Sequence, residues 1–235
     1  MQISYRLAFG VALVLLVSGG VARAQHDIAD VVDSAKRGDL ETLRDVIAAG
    51  ADAAAVSPDG ATALLWASYR DDIEMAGWLL TVNAPVNTAN DLGVTPLWAA
   101  SENRSAQMVA LLLENDADPN LALLSGETAV MIAARAGSEE VVQVLANAGA
   151  DLDRSATRGQ TALMWAAANY HAATVKALLE HGADVHAGDL TKPYLGHKRA
   201  ELFSDRIHLN APTQVLVNHL EVRRSNAMSF GFAFF

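Results

Sequence analysis

Cysteine is missing from the chain, so no disulfide can staple the fold and no thiolate can bind a metal or act as a nucleophile. The common fingerprints of catalysis are missing too: no G-x-S-x-G, H-E-x-x-H, Walker or dinucleotide-binding pattern occurs. Basic residues are scarce where nucleic acid would need them. Residues 25–188 hold 23 Asp or Glu against 9 Lys or Arg, and such a surface repels phosphate backbones. Long apolar runs are scarce as well. The one candidate, Leu7 to Val17, covers only about half of the ~20 residues a spanning helix needs. The expectation is a chain that is not an enzyme, uses no cofactor, binds no nucleic acid and has no lasting insertion in a membrane.

Arg6 stands ahead of that short apolar stretch, and Ser18-Gly19-Gly20 and the small-residue triplet Ala22-Arg23-Ala24 follow it. This is the layout of a secretory signal peptide over residues 1–24, cleaved after Ala24. An uncleaved anchor is the competing reading, and the shortness of the stretch counts against it. The mature protein is then expected in the periplasm or outside the cell, as a monomer whose stability comes from packing alone.

What the chain does have is a period. Thr62, Thr95, Thr128 and Thr161 stand 33 residues apart, and each opens a small-apolar run: TALLWAS, TPLWAAS, TAVMIAA and TALMWAA. Gly60, Gly93, Gly126 and Gly159 keep the same step two residues earlier, and Ala51, Ala84, Ala117, Ala150 and Ala183 keep it in a third register. Three registers in phase, two with four members and one with five, mean a stack of like structural units, which grows by addition and needs no large central core. A period near 33 with this T-P-L-x-x-A core resembles the ankyrin repeat. The resemblance implies an all-α solenoid of helix-turn-helix units joined by β-turn loops, and a protein that binds other proteins.

One unit shows how the sequence specifies this. Gly93 suits a tight turn, the Thr95 hydroxyl can cap a helix, and Pro96 falls at the first helical position, where its missing N–H costs nothing. Leu97, Ala99 and Ala100 form the buried side of the first helix. A second helix, about Ala106 to Glu114, sets Val109, Leu112 and Leu113 at helical spacing. Trp66, Trp78 and Trp165 are expected in the core, whereas Trp98 lies one position out of register and fits either burial or partial exposure. The units run over about 27–60, 61–93, 94–126, 127–159 and 160–188, within a repeat domain of residues 25–188. The first lacks the threonine opening and carries charges at Asp30, Asp33, Lys36, Arg37, Glu41 and Arg44, as an N-terminal cap should.

After Ala187 the pattern stops. Residues 189–235 hold 4 acidic and 6 basic residues and read as an irregular tail folded over the last repeat, a disordered tail, or the end of a truncated longer array. His181 and His186 are five apart and so do not share a helical face, and no metal site is expected. His171 matches the turn histidine usual between the helices of the family.

In the family the partner surface is usually the concave side, built from turn tips and the exposed side of the first helices. Transferred by register, the resemblance implies partner contacts from Asp59, Tyr69, Arg70, Asp91, Leu92, Glu102, Asn103, Leu124, Glu127, Arg135, Arg158, Gln160, Asn169 and Tyr170. Tyrosine and arginine are common interface anchors, and leucines at turn tips are unusual for solvated loops. The expected role is an exported, non-catalytic scaffold for another protein. The alternatives are an envelope protein that stabilises an exported enzyme and a secreted effector that acts on host proteins.

Overall fold

The computed structural model describes residues 31–157 and 159–187. The expected signal peptide, the stretch over 189–235 and Arg158 lie outside the described residues. Among the described residues ten helices form five pairs: 31–37 (α1) with Leu40–Ala48 (α2), Ala63–Tyr69 (α3) with Ile73–Thr81 (α4), Pro96–Glu102 (α5) with Ala106–Glu114 (α6), Ala129–Ala136 (α7) with Glu139–Asn147 (α8), and Ala162–Ala168 (α9) with Ala172–Glu180 (α10). No extended strand is present among the described residues, only isolated bridges such as Val56 with Thr62 and Ala122 with Thr128 at the tips. First helices stack in one row, α3 on α5 on α7 on α9, and second helices in another, α4 on α6 on α8 on α10. The expected all-α repeat solenoid is the observed fold.

Local chemistry starts the helices. The Oγ1 atoms of Thr62, Thr95 and Thr161 accept from the backbone N–H of Leu65, Trp98 and Met164 at 3.1, 3.2 and 3.3 Å, and Asp72 and Ser105 cap α4 and α6 in the same way. Each such cap satisfies one of the donors that a helix start leaves without an intrahelical partner. Thr128 departs from the pattern: its hydroxyl is buried without a hydrogen-bond partner, and its carbonyl oxygen accepts from both Met131 N–H at 3.1 Å and Ile132 N–H, the regular α-helical donor, at 3.2 Å.

Packing then joins the pairs. One apolar cluster runs through all five, with Leu64, Met75, Leu79, Met108, Leu112, Leu145, Leu163 and Leu178 at most 2 % exposed. Alanines such as Ala63, Ala67, Ala100, Ala133 and Ala166 are fully buried between neighbouring first helices, where a larger side chain would push the rows apart. The tryptophans correct the sequence reading. Trp66, Trp78 and Trp165 are half-buried at the margin of the core, and Trp98 is the enclosed one at 7 % exposure. A spacing of 33 places a residue on a helix but does not say which side of that helix a neighbouring tip will cover.

Left-handed backbone also follows the period. Gly38, Asp71, Arg104, Gly137 and Tyr170, each 33 residues from the next, have φ between 55° and 77° in the turns between paired helices. Asp71, Arg104 and Tyr170 carry a cost there of roughly 1–2 kcal/mol each for a non-glycine residue, which the packing on both sides sustains.

Two hydrogen-bond ladders tie one pair to the next. At the tips, the N–H groups of Asp91, Leu124 and Thr157 donate to the carbonyls of Asp59, Leu92 and Ser125 at 3.0, 3.2 and 3.0 Å. At the other end of each unit, Asn87, Asn120 and Asp153 stand at equivalent positions, and their side-chain oxygens accept from the N–H of Asp118, Asp151 and Asp184 at 2.8, 2.8 and 2.7 Å. The two asparagines also donate, to the carbonyls of Asp116 and Gly149. The Asp153 side chain has no N–H to give the equivalent Gly182 carbonyl. Asp153→Asn is therefore expected to stabilise the fifth unit by about 0.5–1.5 kcal/mol, the net value of one added hydrogen bond. A urea midpoint that falls or stays put would count against this ladder.

Candidate partner-binding face

A second apolar cluster is separate from the stacking core. Leu65, Val94, Trp98, Ala99 and Ile132, with Ala61, form its buried part, and Trp66, Tyr69 and Leu123 pack against it half-exposed. Every member comes from a tip or a first helix. The first helices thus have two apolar sides: one meets the second helices and the other meets the tips. Outside this second side lies the face on which the family resemblance places partner contacts.

Cations and aromatics alternate along it. Lys36 Nζ stands 4.9 Å from the centre of the Trp66 ring, and the Arg135 guanidinium lies 5.7 Å from Trp165. These two pairs are equivalent positions three periods apart. Placing a cation over an indole face is attractive because the ring quadrupole is negative there. Tyr69 packs 5.9 Å from Trp66 at an interplanar angle of 46°. Burial, and secondarily the charge of Glu102, push the Tyr69 phenol above its ordinary pKa, so it stays a neutral donor and acceptor at neutral pH. A groove of about 470 Å³ opens here, lined by Lys36, Asp59, Leu65, Trp66, Tyr69 and Arg70 among others. The Asp59 carboxylate accepts the Ser57 hydroxyl, and that bond, with help from the Ala61 N–H and the Lys36 charge, holds its pKa below the usual carboxylate value.

The residues singled out by register occupy the face in different ways. Asp91, Leu92 and Leu124 are exposed at tips, Leu92 at 66 % and Leu124 at 80 %. Glu102 is exposed at the end of α5, and Tyr170 is exposed in the turn before α10. Glu127, Arg135 and Gln160 are half-exposed. Arg70, Asn103 and Asn169 are exposed, yet their polar ends turn to the protein's own backbone. Asn103 donates to the carbonyls of Ser68 and Tyr69 at 3.0 and 2.8 Å, Arg70 to that of Lys36 at 3.4 Å, and Asn169 to that of Trp165 at 2.9 Å. Asn103 and Arg70 thereby cap the C-terminal carbonyls of the preceding unit's first helix, a task His171 shares, its Nε2 lying 3.1 Å from the Arg135 carbonyl oxygen. Sequence reading missed this inward role, and it missed Lys36 and Trp66 as parts of the face. Their signal was available, since 36 and 66 stand three periods from 135 and 165.

No group of three or more His, Asp or Glu among the described residues could hold a metal ion, and no described helix is long and apolar enough to cross a membrane. The His181 ring bonds instead to its own helix, Nδ1 lying 2.8 Å from the Ala177 carbonyl oxygen.

None of the curated proteins compared with this sequence matches it. A family model described as ankyrin repeats in three copies matches residues 32–123 and 119–189, which together span the helix pairs, the tip ladder and the second apolar face. The chain belongs to the ankyrin-repeat family.

Proposed function

We propose that this chain is a non-catalytic scaffold that binds another protein through the face formed by its tips and first helices, and that it does so after export to the periplasm or beyond. Ankyrin repeats generally mediate protein–protein interaction, and the single observation that carries the reading here is the second apolar cluster together with Leu92 and Leu124, exposed on neighbouring tips. Stacking the repeats does not require that cluster to reach solvent. A partner that covers it gains the hydrophobic free energy of the exposed leucines and of the half-buried Trp66 and Tyr69. Export rests on Arg6, the short apolar stretch and the Ala22-Arg23-Ala24 triplet.

The test separates binding from folding by avoiding Arg70 and Asn103, whose side chains cap neighbouring carbonyls. A partner is first captured from an envelope extract with a photocrosslinker at position 170, and its affinity is then measured against the parent and the Leu92→Ser, Leu124→Ser double variant. A loss of roughly 10–100-fold is expected, as for two interface anchors of about 1 kcal/mol or more each, with the melting temperature nearly unchanged. Equal affinity for parent and double variant would move the interface away from the tips.

A further inference from the structure

The groove at the N-terminal end of the face has a charge that the rest of the array does not prepare. Residues 25–188 carry 9 basic residues against 23 acidic ones, and Lys36, Arg37 and Arg70 are three of those nine. Lys36 and Arg70 line the groove, with Asp59 as its carboxylate. The ion pairs among the described residues, Arg44 with Glu74 and Lys176 with Glu180, include neither groove cation, although the Lys36 charge acts on Asp59 from beyond ion-pair distance. Asp59 is engaged by the Ser57 hydroxyl and offsets one of the two charges.

Both cations are held in place before any ligand arrives. Gly38 has no side chain, and a Cβ there would lie 2.4 Å from Arg70 Nη2, so the absent side chain is what lets the guanidinium sit against the first unit and reach the Lys36 carbonyl. Lys36 in turn is placed over Trp66. A cation held in place beside an aromatic ring loses little freedom on binding.

We propose that this groove receives an acidic, apolar-anchored segment of the partner protein: an aromatic or branched aliphatic side chain against Leu65, Trp66 and Tyr69, and a neighbouring carboxylate met by Arg70 and Lys36. The proposal rests on the protein-binding reading above and names the chemistry of one part of that site. The volume of about 470 Å³ suits one or two side chains. The surrounding charge narrows the choice further. A nucleic acid or an anionic lipid surface would extend over the acidic array and be repelled, whereas one or two carboxylates confined to the groove are not. A basic segment would meet Lys36 and Arg70, of whose two charges Asp59 offsets only one.

The test uses the full chain and three C-amidated peptides labelled with fluorescein at the N-terminal amine: Gly-Glu-Phe-Glu-Leu-Gly, the same peptide with Lys for both Glu, and the same with Gly for Phe and Leu. Fluorescence polarisation is read up to about 1 mM peptide. The acidic aromatic peptide is expected to bind about tenfold or more tighter than either control and to weaken as salt is raised. Combined Lys36→Gln and Arg70→Gln should reduce that affinity about tenfold or more, and Arg70→Lys, which keeps the charge but not the fork, should lose less than that double variant. Lys36→Gln alone, at a side chain that makes no hydrogen bond among the described residues, should lower it about threefold or more, so that a poorly folded double variant does not decide the outcome. Binding of the lysine peptide as tight as that of the acidic one, affinity indifferent to the charge variants, or no binding of the acidic peptide overturns the assignment. A partner still captured through a crosslinker at position 170 in any of those cases leaves the wider protein-binding reading standing.

Discussion

Replacing Leu112 by alanine is expected to lower the stability of the array by roughly 2–5 kcal/mol, the range for deleting a buried leucine side chain in a core that relaxes only in part. Leu112 is fully buried near the end of α6. That helix packs on α5 of its own unit and on α4 and α8 of its neighbours, so the methyl groups lost are shared by three units. In a linear array each unit is stabilised chiefly by contact with the adjacent ones. A defect in the middle therefore weakens both directions of the stack, whereas the same defect in an end unit weakens one. Leu113, next in sequence but only half-buried, is the control, and Leu113→Ala should cost clearly less. Urea denaturation followed by far-ultraviolet circular dichroism checks both. Equal midpoints for the parent and the Leu112 variant would mean that the apolar stripe of α6 does not face its neighbours as described.

The parts of the fold that were legible in the sequence are those decided within a few residues. Thr95 and Pro96 start α5 by cap chemistry and a fixed φ, and the spacing of Val109 and Leu112 marks the buried stripe of α6, whose ends coincide with the expected Ala106 and Glu114. What was not legible depends on partners about 30 residues away. The asparagine ladder of Asn87 and Asn120 reads in sequence as ordinary turn composition, and only the next unit's backbone gives its amides their task. The tryptophans show the same limit, because a tip that covers Trp98 and leaves Trp66 half-open is a tertiary event. On the candidate face, register found the exposed tips at Leu92 and Leu124. It could not tell them from Arg70 and Asn103, whose side chains are exposed by area while their polar atoms are committed to the preceding unit. The distinction matters because alanine at Asn103 would remove the side-chain donor to two helix-end carbonyls, leaving that of Ser68 only its backbone donor Asp71, and a loss of binding there would be mixed with a loss of order.

Gly93→Ala is expected to be the other strongly destabilising change, for a reason that no burial value conveys. Gly93 has φ of +85°, a conformation that costs a residue with a Cβ roughly 1–2 kcal/mol. The added Cβ would also lie 2.9 Å from Leu123 Cα, 3.1 Å from the Ala122 carbonyl oxygen and 3.1 Å from Leu124 N. All three are backbone atoms of the next tip, and that tip cannot step aside freely. Leu124 N–H donates to the Leu92 carbonyl at 3.2 Å, and Leu123 N–H to the Glu127 carbonyl at 2.9 Å. Relief of the clash would stretch the bond that joins the two tips, adding about 1 kcal/mol. Alanine's smaller conformational freedom in the unfolded chain returns about 0.4–1 kcal/mol, so the net loss should be roughly 1–3 kcal/mol. Gly50→Ala isolates the backbone term. Gly50 is also left-handed, at φ of +102°, but a Cβ there meets nothing within 4 Å, and its variant should lose only the backbone part. The difference between the two denaturation midpoints then measures how tightly successive tips are held together. Should the two variants melt alike, tip-to-tip contact contributes little to the array. In that case Leu92 and Leu124, which the ladder carries on neighbouring tips, would no longer be fixed relative to each other, and a partner that uses both would have to order them as it binds.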